Sequence, residues 1–420
     1  MILTLLLSAV SCLQPPLATQ GKFFVDVNGE KIHLHCSAWS GVHQKEFLNY
    51  GMENQPLSVL ADNFKSAGFN CVRYQFSAQV VKTNPVVNTT LVEKYNPQFI
   101  GKTALEVVDS VFAELSKREI MIILDYHMLD AGGCCSPLDQ NGGWYNSRWS
   151  KEDVQAQLVT MVNRYKSNPW VIGVDVRNEV RSMYDLIGNT QIPNPFSLFM
   201  PNWGQGGSWD WAVEAERLGN AVLAANPNML IMIQGFYQIQ LSELWFWLTH
   251  SKNNCRRPRI PQVLTLDQIK RRPINLNVPQ RLVYSCHTYD FFYDFDVYNM
   301  TYTEWKSQTQ YYWGDVADLP DVPFFLGEFG TNHNADGLNT NFFKYLMQYI
   351  KEKKMHWAYW AYEGTYANPN PSQCALAPPS FLINEDRTMM NSYGLLNTTY
   401  NGFAYPPQLA ELQSIMFKDI

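Results

Sequence analysis

Eight short apolar runs, rich in β-branched and aromatic residues and alternating with helical patterns or loops, predict a (β/α)8 TIM barrel. Six of the runs also carry or end in polar residues suited to chemistry, as a barrel with its site on the carboxyl-terminal face requires. No composition shift, internal repeat or low-complexity linker divides the 420 residues, so residues 21–420 read as one domain.

The first run is "KIHLHCSAW" (31–39). "FNCVRYQFS" (69–77) follows the amphipathic "LSVLADNFKSAG", and "IMIILDYH" (120–127) follows "ALEVVDSVFAELSKR". "WVIGVDVRN" (170–178) follows "VQAQLVTMVNRYKSNP", and "NMLIMIQGF" (228–236) follows "AVEAERLGNAVLAAN". "RLVYSCHTY" (281–289) comes after a long loop and "VPFFLGEFG" (322–330) comes next. "MHWAYWAYE" (355–363) follows "FFKYLMQYIKEKK", and the tail "PPQLAELQSIMF" reads as a last helix.

Composition narrows the class of protein. A chain 46% hydrophobic and 17% charged builds a packed core rather than a disordered ensemble. A net charge of -6 argues against nucleic acid as a partner. The basic runs "RRPR" (256–259) and "KRR" (270–272) read as solvated loop. The 13 Trp and 23 Tyr suit carbohydrate, whose apolar C–H faces stack on aromatic rings.

"MILTLLLSAVSCLQPPLATQ" reads as a secretory leader over residues 1–20, although its start lacks Lys or Arg. Its apolar stretch is too short to span a bilayer, and no other segment is long enough. The sequons at Asn88, Asn299 and Asn397 agree with export as a glycoprotein. The expectation is therefore a secreted, extracellular monomer with no membrane attachment once the leader is removed. Of 8 Cys, Cys12 falls in the leader; Cys36, Cys71 and Cys286 read as buried thiols. Cys134, Cys135, Cys255 and Cys374 lie in loop-like stretches and are the disulfide candidates, with the pairing open.

The polar residues then fall into one pattern. The second run carries Arg73, the third ends at His127 and the fourth at Asn178 and Glu179. The sixth ends at His287 and Tyr289, the seventh at Glu328, and the eighth carries Trp360. Any one of them could be a satisfied polar group; six strands together make that reading poor. Two Glu at strand ends beside aromatic residues suit glycoside hydrolysis, which needs one carboxyl to protonate the leaving oxygen and one to attack or activate water. Arg73 is expected to keep Glu328 ionised, with Tyr289 donating to it, and the Glu328 charge to keep Glu179 protonated. Asn178 suits a sugar 2-hydroxyl, and His127 and His287 suit sugar hydroxyls or carboxyl orientation. An Arg73→Ala change is expected to impair turnover more than folding.

"RNE" after the fourth run, "HTY", "LGEFG" and "WAYW" together resemble glycoside hydrolase family 5, the cellulase family. "WDWAVEAERLGNAVLAANPNMLI", "NVPQRLVYSCHTY" and "ALEVVDSVFAELSKREIMIILDYH" resemble bacterial endo-β-1,4-glucanases of that family, and the likeness spans roughly residues 22–365. The resemblance implies a retaining enzyme with Glu179 as acid/base and Glu328 as nucleophile. It also implies a supporting shell of Arg73, His127, Asn178, His287 and Tyr289, and Trp360 as the platform for the sugar before the scissile bond. It implies no cofactor. Three departures stand out: Val180 where the family usually has Pro, Ala38 where relatives have Asn, and a longer loop after the eighth run.

The expected substrate is a β-1,4-glucan cut internally; a β-mannanase or another β-glycanase is the alternative. A metal-dependent hydrolase built on His33, His35 and His287 finds no further ligands on the fourth, fifth or eighth runs, so no metal is expected. A non-catalytic glycan-binding barrel would not keep both Glu. Trp144, Trp149, Trp203, Trp209, Trp245 and Trp313 lie in or near loops, where each suits a further subsite or ordinary packing equally; Trp170 and Trp357 read as packing, and Glu363 as a solvated loop charge.

Overall fold

The structure, a computed structural model, describes residues 13–135, 139–184, 198–237, 264–290, 299–331, 338–364 and 393–417. The eight barrel strands are β1 (His35–Trp39), β2 (Cys71–Ser77), β3 (Met121–Met128), β4 (Val171–Asp175), β5 (Leu230–Gln234), β6 (Leu282–Thr288), β7 (Phe324–Phe329) and β8 (His356–Tyr359). Every neighbouring pair is parallel, and β8 pairs with β1 to close the barrel. Each strand coincides with one of the eight runs read from the sequence, β3 running one residue past its run, to Met128.

The outer helices are α1 (Leu57–Ser66), α2 (Ala104–Lys117), α3 (Lys151–Arg164), α4 (Trp211–Ala225), α5 (Tyr302–Thr309), α6 (Asn341–Lys353) and α7 (Pro406–Gln413). Their starts are written locally. Thr103 and Glu106 form a capping box for α2, Ser150 and Asp153 one for α3, and Thr301 and Glu304 one for α5. On α2 the buried positions Val108, Val111, Phe112 and Leu115 repeat at helical spacing and pack on the barrel. None of the helices among the described residues is long and apolar enough to cross a membrane.

Along the strands, alternate residues point into the barrel. At the amino-terminal end these are apolar: Cys36, Cys71, Met121, Ile123, Leu230, Met232, Val283 and Phe325 form one cluster. Leu17 and Phe24 plug it from below. Phe24 belongs to, and Leu17 directly precedes, a small antiparallel sheet of Ala18–Gln20, Phe23–Val25 and Lys31–Ile32. This changes two expectations. The first run splits, with Lys31–Ile32 pairing outside the barrel, and residues 17–20, placed in the leader, are part of the fold. Any cleavage that leaves this floor intact lies upstream of Leu17.

Other expectations also move. Cys36 and Cys71 are register partners on β1 and β2 and are joined as a disulfide, not held as thiols. Cys134 and Cys135 are joined to each other, Cys286 is a buried thiol, and Cys255 and Cys374 lie outside the described residues. Trp144, Trp149, Trp203 and Trp313 are buried packing residues, as is Trp357; Trp209 is 40% exposed, and Trp245 lies outside the described residues. Glu363 is only 4% exposed and so is not a solvated charge. In the run 270–272 each residue has an acidic partner, Asp315, Asp267 and Glu216 in turn; 256–259 lies outside the described residues.

His33, His35 and His356 cluster at the barrel floor. His33 Nε2 donates to the Met355 carbonyl at 2.6 Å, and the Leu34 amide donates to His356 Nδ1 at 3.2 Å. Burial holds His33 down to about 4 and His35 to about 3, and His356 well below its ordinary value. All three are neutral in the folded chain near neutral pH. Below the ordinary value of 6.5 the unfolded chain takes up protons that the folded chain refuses until about 4. This part of the stability is complete above that window and is lost as pH falls through it. The melting temperature is therefore expected to fall between pH 6.5 and 4 more steeply in the wild type than in His35→Gln. Equal slopes in a thermal-shift series would show that the cluster does not set the acid limit.

Candidate active site

Toward the carboxyl-terminal end the inward face turns polar without changing its period. Cys71 gives way to Arg73 and Gln75, Ile123 to Asp125 and His127, Met232 to Gln234, and Val283 to Ser285 and His287. Arg73 sits at the centre, fully buried. Its Nη1 lies 2.5 Å from Glu328 Oε1 and 3.0 Å from Asp125 Oδ2. Its Nη2 donates to Asp175 Oδ2 at 2.8 Å and to Asn178 Oδ1 at 2.9 Å. One guanidinium fork thus ties β2 to β3, β4 and β7.

The two glutamates converge beside it. His287 Nδ1 lies 2.8 Å from Glu179 Oε1 and 3.4 Å from Glu328 Oε2. A carboxyl oxygen of Glu179 and one of Glu328 lie within 4.8 Å of each other. Tyr289 donates its hydroxyl to Glu328 Oε2 at 3.0 Å. Gly327 permits this convergence: a Cβ there would lie 2.7 Å from Ser285 Oγ and 3.2 Å from His287 Nε2. Glu179 holds a left-handed φ of 40°, costing on the order of 1–3 kcal/mol, the kind of strain found at functional sites. Gln234 steadies that turn by accepting the Glu179 amide at 3.3 Å while donating to Asp175 at 2.7 Å.

The electrostatics follow from burial. Burial pushes Glu328 up to about 7, against His287 and Arg73, which favour its ionised form. Burial likewise raises Glu179, against Arg181 and Arg73, and raises Asp175. It pushes Asp125 up to about 7. Arg73 alone therefore does not hold Glu328 low, as the sequence had suggested; desolvation outweighs it. Burial works against the Arg73 charge too, but Asp125, Asp175 and Glu328 more than offset it and raise the guanidinium. His287 is held down to about 4, chiefly by burial, and is neutral near neutral pH.

Asn178 is buried; its Nδ2 lies 3.4 Å from His127 Nε2. His127 Nδ1 donates to Asp125 Oδ2 at 2.7 Å, which leaves Nε2 as the acceptor. The His127 ring is stacked 5.8 Å from half-buried Trp360. All eight residues singled out from the sequence, Arg73, His127, Asn178, Glu179, His287, Tyr289, Glu328 and Trp360, thus lie in one contiguous cluster. The sequence reading missed Asp125, Asp175, Gln234 and Arg177. Arg177 is fully buried, and its guanidinium takes the carbonyls of Tyr126, His127, Asn141 and Gly143, which clamps the loop after β3 to the end of β4.

Glu179, His287 and Glu328 have the spacing to share a cation, as do Asp125, His127 and Glu328. In both sets Glu328 already has the Arg73 guanidinium against it, and the donors suit proton transfer as they stand. His33 and His35 belong to the opposite end of the barrel from His287 and do not join its group.

A family model described as "Cellulase (glycosyl hydrolase family 5)" matches residues 25–365. An endoglucanase of Paenibacillus polymyxa is 27% identical over 84% of this chain and 79% of its own. The catalytic domain of the major endoglucanase from Xanthomonas campestris pv. campestris superposes with a TM-score of 0.71 at 21% identity, covering 95% of this chain and 99% of that one. A cellotetraose complex of an endocellulase from Pyrococcus horikoshii gives 0.69 at 22% identity, covering 96% and 99%. At such identities the structural likeness speaks for the barrel, and the matched family model for descent. The chain belongs to glycosyl hydrolase family 5, the cellulase family.

Proposed function

We propose that this enzyme cleaves internal β-1,4-glucan linkages by double displacement with retention, Glu328 being the nucleophile and Glu179 the acid/base. The observation that carries the reading is the carboxyl spacing. Oxygens of the pair within 4.8 Å suit the ~5–5.5 Å of retaining enzymes and leave no room for the water an inverting site holds at ~6.5–9.5 Å. Burial raises both carboxyls, and two like charges this close favour one shared proton over two ionised groups. Glu328 has the guanidinium and the Tyr289 phenol as donors, so the proton belongs on Glu179. Glu328 then attacks the anomeric carbon while Glu179 protonates the departing oxygen. Water next opens the glycosyl ester, giving its proton to Glu179 and releasing Glu328.

Asn178, oriented by Arg73, suits the 2-hydroxyl, and Trp360, backed by His127, suits the face of the sugar before the scissile bond. The endoglucanase relatives and the cellotetraose-bound neighbour favour glucan over mannan. The polysaccharide is the partner; the chain acts as a monomer without a cofactor. Export is supported by the leader-like start, with cleavage upstream of Leu17, and by sequons on the surface: Asn88 and Asn299 are exposed and Asn397 half-buried.

Reducing-sugar release is expected from carboxymethylcellulose or mixed-linkage glucan, with the β-anomer as the first product by NMR. Release from mannan alone would keep the chemistry and change the substrate, and an α-anomer would sink the retaining mechanism. Glu328→Gln is expected to bring turnover below detection. Glu179→Gln should cost about 10²–10⁴-fold on glucan yet spare the first step on an aryl cellobioside, whose leaving group needs no proton. Near-wild-type turnover in either variant would overturn its role. Arg73→Ala leaves buried carboxylates without their countercharge, so it should cost about 3–5 kcal/mol of stability as well as activity. A denaturant midpoint unchanged from wild type would contradict this.

A further inference from the structure

The joined cysteines Cys134 and Cys135 stand in the loop after β3, both half-buried. Cys134 Sγ lies 4.0 Å from Glu179 Oε2 and 3.8 Å from Asn178 Nδ2. A sulfur engaged in a disulfide carries no proton, so the first of these is a van der Waals contact and not a hydrogen bond. His287 engages the other Glu179 oxygen, Oε1. The sulfur therefore lies against the other oxygen of a carboxyl that Tyr237 also hydrogen-bonds, and it touches the amide that suits the 2-hydroxyl as well. A proton donor at that position is bordered by whatever sugar departs, and sulfur is a soft, polarizable surface with no hydrogen-bond demand of its own.

We propose that the Cys134–Cys135 disulfide is a positioning and specificity element on the leaving-group side of the cleft. It forms an apolar wall that keeps water from Glu179 Oε2 and packs against the departing sugar. The inference rests on Glu179 being the acid/base. It also makes the activity dependent on the oxidised pair. A dithiol such as dithiothreitol breaks the S–S bond: two thiols form, and the reductant closes to its own disulfide, so electrons and protons balance. The Cys134 thiol then places an S–H donor beside Oε2. Donation to the carboxylate favours its ionised form, and the separated side chains no longer hold one wall.

The test compares pH profiles of kcat/KM on soluble β-glucan for oxidised wild type, wild type treated with dithiothreitol, and Cys134→Ser/Cys135→Ser. The basic limb is expected to move down by about one pH unit on reduction, with kcat/KM near neutral pH falling about tenfold, and the double variant is expected to behave like the reduced enzyme. Reductant should have no further effect on that variant through the Cys36–Cys71 disulfide, which is fully buried in the barrel floor. Cellotetraose should slow iodoacetamide labelling of the reduced pair, as measured by peptide mass spectrometry. Should the variant not fold, the reduced wild type carries the test. An unmoved profile after verified reduction, or labelling indifferent to cellotetraose, overturns the inference. So does a non-reducing map that joins Cys134 to Cys255 or Cys374. Absence of glucan turnover by the oxidised wild type would be the failure of the proposed function itself, and this inference would fall with it.

Discussion

The buried Arg73 guanidinium is the constraint on which the rest of the site depends. A cation with no exposure is tolerable only if its charge and hydrogen bonds are met, and here they are met from three other strands. That requirement sets the order of the layers. The apolar floor must be wide and dry enough to seal one end, and the opposite end must bring Asp125, Asp175 and Glu328 to a single fork. None of these carboxyls is cheap to bury alone, since burial raises all three. Joined through one cation they become a rigid frame, and that frame leaves Glu328 beside Glu179.

How far the sequence disclosed this depends on the kind of signal involved. Strand positions were legible because each is a short apolar run rich in β-branched and aromatic residues, and because helical patterns or loops separate the runs. Site residues at strand ends were legible where polarity breaks an apolar run: Asn178, Glu179, His287 and Glu328. Asp125 and Asp175 were passed over because each stands within a run, where a lone acid is easily taken for part of the strand. Yet Asp125 lies two residues before His127, hence on the same face, and the rule that a buried charge is paired or used applied to it equally. Gln234 ends β5 with no charge to attract notice. The α5 helix was missed although its capping residues Thr301 and Glu304 were in view, because the aromatic-rich stretch behind them shows little periodicity. The disulfides were not legible, since pairing is fixed by register, and Cys36 meets Cys71 only after β1 and β2 are aligned.

The departure at Val180 shows how Glu179, the proposed acid/base, is held once a familiar restraint is gone. A residue before proline is pushed toward extended conformations, whereas Glu179 here is left-handed. A proline at 180 and this turn are poorly compatible, so the substitution and the backbone geometry belong together. Rigidity comes instead from pairing on both sides of the turn. The Asn178 amide bonds the Tyr126 carbonyl at 3.0 Å, and the Glu179 amide bonds Gln234. Beyond the turn, Val180–Arg181 pairs in parallel with Phe236–Tyr237, and the Arg181 amide bonds the Gly142 carbonyl at 2.8 Å. Glu179 is thus fixed by the loop after β3 and the chain after β5 at once. Those are also the segments that carry Cys134 and Tyr237 to its carboxyl. A change in either loop therefore reaches the Glu179 carboxyl through the backbone as well as through side chains, which makes Glu179 the part of the site most open to tuning without loss of the Arg73 frame.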